Sequence, residues 1–156
     1  MEVNGFKLPD SFASLCQDIR EGNAEDSWLA KGQEDSYGNP RVNSDIEFLS
    51  DVEKIKERTD KIVHWFKAER YQQDPEYAAC PGYVKVTSVH KFVCFGQTAA
   101  DEPFCFDFRQ NPEEPSVITW NDEYWQRIAP NFDAFMGLYA PWSEQEGAWL
   151  RGDHER

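Results

Sequence analysis

The sequence predicts an α+β domain in which an antiparallel β-meander carries helices packed around it. Between residues 83 and 129, short runs rich in Phe, Val, Ile and Trp alternate with turn-forming residues, the pattern of neighbouring strands joined by hairpins. On either side of that stretch apolar residues recur at helical spacing. The chain has 156 residues, 40% hydrophobic and 15% aromatic, which is enough to bury one core. The expected organisation is a single domain over 1–156, with a long polar loop near 21–44 and a C-terminal extension at 141–156.

Phe12, Leu15, Cys16 and Ile19 fall at i, i+3, i+4 and i+7, one face of a first helix. Pro9 suits its first turn, where a missing N–H costs nothing, and Gly22-Asn23 ends the pattern. Residues 21–44 are polar and turn-rich, so they read as a long loop, with Trp28-Leu29 and Tyr37 as anchors onto the core. Ile46-Glu47-Phe48 reads as a short strand. Ser50-Asp51-Val52-Glu53 has the form of a capping box, opening a helix with Val52, Ile55, Thr59, Ile62, Val63 and Phe66 along one side. That helix should stop before Asp74-Pro75.

Five strands are expected next, at Tyr83–Val86, Lys91–Phe95, Phe104–Phe108, Val117–Trp120 and Tyr124–Ala129, the last closing the sheet. Asn131 reads as the N-cap of a helix carrying Phe132, Phe135, Leu138 and Tyr139, stopped by Pro141. Ser143-Glu144-Gln145-Glu146 is a second capping box, placing Trp149 and Leu150 on a short terminal helix.

The charge is lopsided. Lys and Arg number 16 against 29 Asp and Glu, a formal net charge of −13. The excess sits in two blocks, with 14 acids to 7 bases in residues 1–60 and 12 to 4 in residues 101–156. Such a chain is repelled by nucleic acid and anionic membranes, whose affinity comes from Lys and Arg. It attracts a basic partner, although solubility alone also explains an acidic surface. No apolar run reaches the length of a membrane span, and residues 1–7 lack the pattern of a signal peptide. Four widely spaced cysteines (Cys16, Cys80, Cys94, Cys105) suggest no disulfide framework, so a reducing cytoplasm is the expected setting.

Catalytic signatures are missing. There is no Gly-x-Ser-x-Gly, no phosphate-binding or dinucleotide Gly-rich loop and no His-Glu-x-x-His, so neither an enzyme nor a cofactor is expected. Zinc at Cys80, His90, Cys94 and Cys105 is one reading, but only His90-x-x-x-Cys94 approaches ligand spacing, and buried thiol is the other. A Cys–His nucleophile would need an activated, accessible thiolate, which nothing predicts. Asp107 interrupts an aromatic strand, which a solvated outer face of that strand explains. The paired acids in turns read as solvated charge, and most tryptophans as core or core edge.

Four segments resemble the SMI1/KNR4 (SUKH) superfamily. Lys91-Phe92-Val93-Cys94-Phe95-Gly96 is similar to its hydrophobic strand ending in Phe-Gly. Phe104-Cys105-Phe106-Asp107-Phe108, followed by a Pro-rich turn, resembles its aromatic strand with an internal Asp. Leu8-Pro9-Asp10-Ser11-Phe12 resembles its opening helix, and Ile128-Ala129-Pro130-Asn131-Phe132 through Met136 its closing one, with Asn131 in place of the usual Ser. The resemblance covers about residues 8–140. It implies a non-enzymatic domain. Bacterial members resemble immunity proteins that bind and neutralise secreted toxins, often nucleases; fungal relatives act as scaffolds.

The expected function is therefore binding to a protein partner, a basic toxin domain, with a regulatory or scaffold role on an endogenous partner as the alternative and a small hydrolase behind both. The expected surface comprises Asp26, Glu34 and Asp35 of the long loop, Asp101 and Glu102, Glu113 and Glu114, and Asp122 and Glu123. Trp28 and Trp120 are its aromatic anchors. No metal is expected, and the chain should be a monomer or weak homodimer.

Overall fold

A computed structural model describes residues 1–40, 43–66 and 75–144. The architecture is the predicted one, α+β with helices around an antiparallel sheet. A small hairpin, β1 (Glu2–Val3) and β2 (Phe6–Lys7), precedes α1 (Asp10–Arg20). Strands β3 (Ser27–Ala30) and β4 (Asp45–Phe48) lead to α2 (Val52–Trp65) and a short 3₁₀ turn at Pro75–Ala79. The meander follows as β5 (Phe92–Gln97), β6 (Pro103–Asp107), β7 (Ser116–Trp120) and β8 (Trp125–Ala129), then α3 (Phe132–Met136) and β9 (Tyr139–Pro141). The main sheet runs β8-β7-β6-β5-β4-β3-β9, with every pair antiparallel.

Both faces of the central strands are covered. On one face Phe95, Phe104, Phe106 and Val117 meet Phe12 and Cys16 of α1 and Phe132 and Phe135 of α3. On the other, Phe92, Cys94, Cys105, Ile118 and Trp125 meet Ile62 of α2 and the 84–89 segment. The Phe12 ring packs edge-on against Phe95, Phe106 and Phe132 at 5.3–5.5 Å between centroids. Each such buried ring contributes roughly 2–3 kcal/mol of hydrophobic stabilisation. This double coverage corrects the solvated face expected for the β6 strand: all five of its residues are buried, Asp107 included.

Several local expectations also change. The 21–44 stretch contains β3, since the edge of the sheet recruits Ser27–Ala30 between β4 and β9. Residues 83–86 form no strand; only Tyr83 makes an isolated bridge to Gln126, while Val84 and Val86 cap the second core. The third helix ends at Met136, because Leu138 and Tyr139 leave it, and β9, rather than β8, is the last strand. Asp51, not Ser50, caps α2, its side chain accepting from the Glu53 amide. The expected stop before Asp74 and the terminal helix bearing Trp149 and Leu150 lie outside the described residues.

Candidate functional site

The β5–β6 turn is built by Thr98. Its hydroxyl accepts from the Ala100 and Glu102 amides at 3.2 and 3.1 Å, and its own amide donates to the Glu102 carbonyl at 2.9 Å. The Asp45 carboxylate accepts from the Ala99 amide, and the Arg58 guanidinium donates to the Asp101 carbonyl. Asp101 takes a left-handed φ of 65°, which Asp tolerates better than most residues. Fixed in this way, the turn presents Asp101 and Glu102.

The β7–β8 turn is built by Asn121, whose side-chain oxygen accepts from the Glu123 and Tyr124 amides. Asp122 sits at φ 76° and, with Glu123, faces solvent. In an antiparallel meander successive turns alternate between the two ends of the sheet. The β5–β6 and β7–β8 turns therefore share one end, and the electrostatics agree. Burial raises the Glu102 carboxyl above its ordinary value, the Thr98 hydrogen bond opposes this, and the charges of Asp122 and Asp45 raise it further.

Glu113 and Glu114 belong to the β6–β7 turn and lie at the opposite end. There the Asn111 side chain accepts from both their amides, and Glu114 accepts from the Asn131 side chain at 2.7 Å. With Pro9, Asp10 and Asp133 they line a hollow of about 470 Å³. The acidic turns thus form two surfaces.

Asp35 is a correction. It is 5% exposed, its carboxylate accepting from the Tyr37 and Asn39 amides and from the Gln126 side chain. Gln126 in turn accepts from Asn121, so Asp35 ties the 34–40 turn to the β7–β8 hairpin and is buried where an exposed position was expected. Glu34 beside it is exposed. Trp120 is half-buried, packed edge-on against Phe66 and beside Trp125, which makes it part of the second core.

Trp28 and Asp26 fall in a groove of about 840 Å³ bounded by the end of α1, β3, β4 and the β5–β6 turn. Trp28 packs edge-on against Phe48 and donates its indole N–H to the Glu25 carbonyl at 2.8 Å. Asp101 lies on the rim, together with side chains the sequence reading did not select: Glu25, Asp45, Glu47 and Trp142. Asp45 and Glu47 flank buried Ile46 on a four-residue strand, and that alternation was the signal available for them. Trp142 is 49% exposed. Its position became legible only through β9, which sets Pro141 opposite Trp28.

The chemistry weighed for Asp107 and the cysteines takes a structural form. Asp107 accepts from the Arg109 amide and guanidinium at 2.8–3.0 Å and from Arg127 at 3.3 Å. Burial pushes its carboxyl up, but these bonds and charges outweigh burial and hold it below its ordinary value. His90 lies exposed on the turn before β5. Cys94 and Cys105 oppose each other across β5–β6 and are fully buried, and burial pushes the Cys16 thiol up to about 12. Among the described residues no three His, Cys, Asp or Glu side chains converge as a metal-ligand set, and no helix is long and apolar enough to cross a membrane.

Compared with family models, residues 2–137 match that of the SMI1 / KNR4 family (SUKH-1). Comparison with curated proteins and with solved structures finds no match.

Proposed function

The chain belongs to the SMI1/KNR4 (SUKH-1) family, and from that premise we propose that it is a non-catalytic immunity-type protein whose acidic surface binds and neutralises a basic toxin domain. The observation that carries this reading is the gathering of Asp45, Asp101, Glu102 and Asp122 at one end of the sheet, where the Asp45 carboxylate accepts from the Ala99 amide of the β5–β6 turn. Burial is the main cause that raises the Glu102 carboxyl above its ordinary value, and the charges of Asp122 and Asp45 add to it. Mutual repulsion of that kind costs stability in the free protein and is relieved when a cationic surface docks. A nuclease site is such a surface, because it must hold phosphates. The same field steers the encounter and makes its rate depend on salt. The four free cysteines suit a reducing cytoplasm.

The test is a pull-down with the full chain as bait, using catalytically inactive forms of toxin candidates encoded beside its gene. Capture of a basic domain that is released by raising salt is the expected result, and adding the chain to the active form of that toxin should abolish its activity. Capture of an endogenous housekeeping protein in its place would overturn immunity in favour of a scaffold role.

A further inference from the structure

The groove beside β3 and β4 has a composition more specific than its acidity. Its floor and walls include Trp28, Leu29 and Ile46, and Trp142 stands exposed at its edge. Trp142 is held there: the Glu25 carboxylate accepts from the Ser143 amide at 3.0 Å and from the Ser143 hydroxyl, and β9 pins Pro141 opposite Trp28. Glu25, Asp26, Asp45, Glu47 and Asp101 share the lining, and no Lys or Arg joins them among the described residues. At about 840 Å³ the groove is within the size range that admits several ligand groups.

Two features of the groove favour the same kind of guest. An indole face attracts a cation through its quadrupole, most strongly for guanidinium. Carboxylates attract the same group and pair with it bidentately. A purely apolar guest would leave the carboxylates desolvated without partners, which costs more than its burial returns. An acidic guest would be repelled outright.

We propose that this groove is the docking site for a projecting arginine- or lysine-bearing segment of the partner, its cationic side chain lodged against the exposed Trp142 beside Glu47 and Asp101. The inference rests on the protein-binding reading above and narrows it to one of the two acidic surfaces. The Glu113–Glu114 end has similar charge, but tryptophan is absent from its lining.

The experiment titrates the full chain with a blocked synthetic peptide of alternating arginine and leucine, and with the same peptide carrying glutamate for arginine. Binding is followed through the indole N–H signals in ¹⁵N NMR spectra. The Trp142 signal should move with the arginine peptide only. Glu47→Lys together with Trp142→Ala should weaken binding about tenfold or more, as expected for losing a partly desolvated ion pair and a cation–π contact. Glu113→Lys with Glu114→Lys should change it less than about twofold, being a distant charge screened by salt. Both pairs are exposed, so circular dichroism should report an unchanged fold. Failure of the Trp142 indole signal to move, or equal weakening by both pairs of substitutions, would overturn the groove. A partner from the pull-down that binds the Glu47→Lys/Trp142→Ala chain as tightly as the parent would also overturn it, while leaving the immunity reading intact. A groove that takes the peptide in a chain that captures no toxin would have the opposite meaning.

Discussion

Asp107 shows how one side chain can resemble a catalytic group in sequence and act as a brace in the fold. Its carboxylate is 2% exposed and takes four hydrogen bonds from Arg109 and Arg127, which pin the start of the β6–β7 turn to β8. A buried charge of this kind is tolerated only while paired, and removing one partner leaves the others uncompensated. Asp107→Asn should therefore destabilise the chain by about 3 kcal/mol at neutral pH. The folded pKa is depressed, so its contribution is fully present above the ordinary carboxylate value of 3.8 and is lost as pH falls through the folded value. Urea denaturation of the two proteins should show a gap that closes under acid. A gap of constant size from neutral to acid pH would refute this account.

At the scale of elements, Gly96 decides how β4 joins the meander. It pairs with Phe48 on one side and Phe104 on the other, beside a register shift in β5. A Cβ there would stand 2.7 and 2.8 Å from the Ile46 side chain and 3.0 Å from the Glu47 carbonyl. Space, not backbone strain, is what requires glycine at this position. Gly96→Ala should cost about 2 kcal/mol by overpacking. Adding Ile46→Ala should cost less than the sum of the two single changes, since it removes the nearest clashing atoms, and a double-mutant cycle measures that difference. Additive losses would show that the clash is absorbed elsewhere. The same junction orients Glu47 and Asp45 toward the groove, so a packing glycine supports the binding surface at one remove.

For the whole molecule, a net charge of −13 is a field to be apportioned, and the topology places its acidic turns at two ends of one sheet. Charge reversal at Asp101 and Asp122 should slow association with a basic partner about tenfold at low ionic strength, and the effect should fade as salt rises. The matching reversal at Glu113 and Glu114 should slow it less. Stopped-flow association rates at several salt concentrations separate the two, and equal slowing at every salt concentration would count against a single docking end.

The sequence by itself determined the fold class and the order of its helices and meander strands. Those follow from periods of 3.6 and 2 and from turn residues acting over a few neighbours. It also determined the Asn131 cap, which is a contact between residues three apart. The tertiary structure alone decided what depends on distant pairs. Ser27–Ala30 and Tyr139–Pro141 became strands because each is the other's hydrogen-bonding partner, 111 positions apart where Leu29 meets Ala140. Asp35 became a buried brace because Gln126 reaches it across the fold, and Asp107 became one because Arg127, 20 positions away on β8, joins Arg109 on its carboxylate. The groove followed for the same reason: Trp28, Glu47, Asp101 and Trp142 meet only after the sheet is complete, and local sequence carries no record of that meeting.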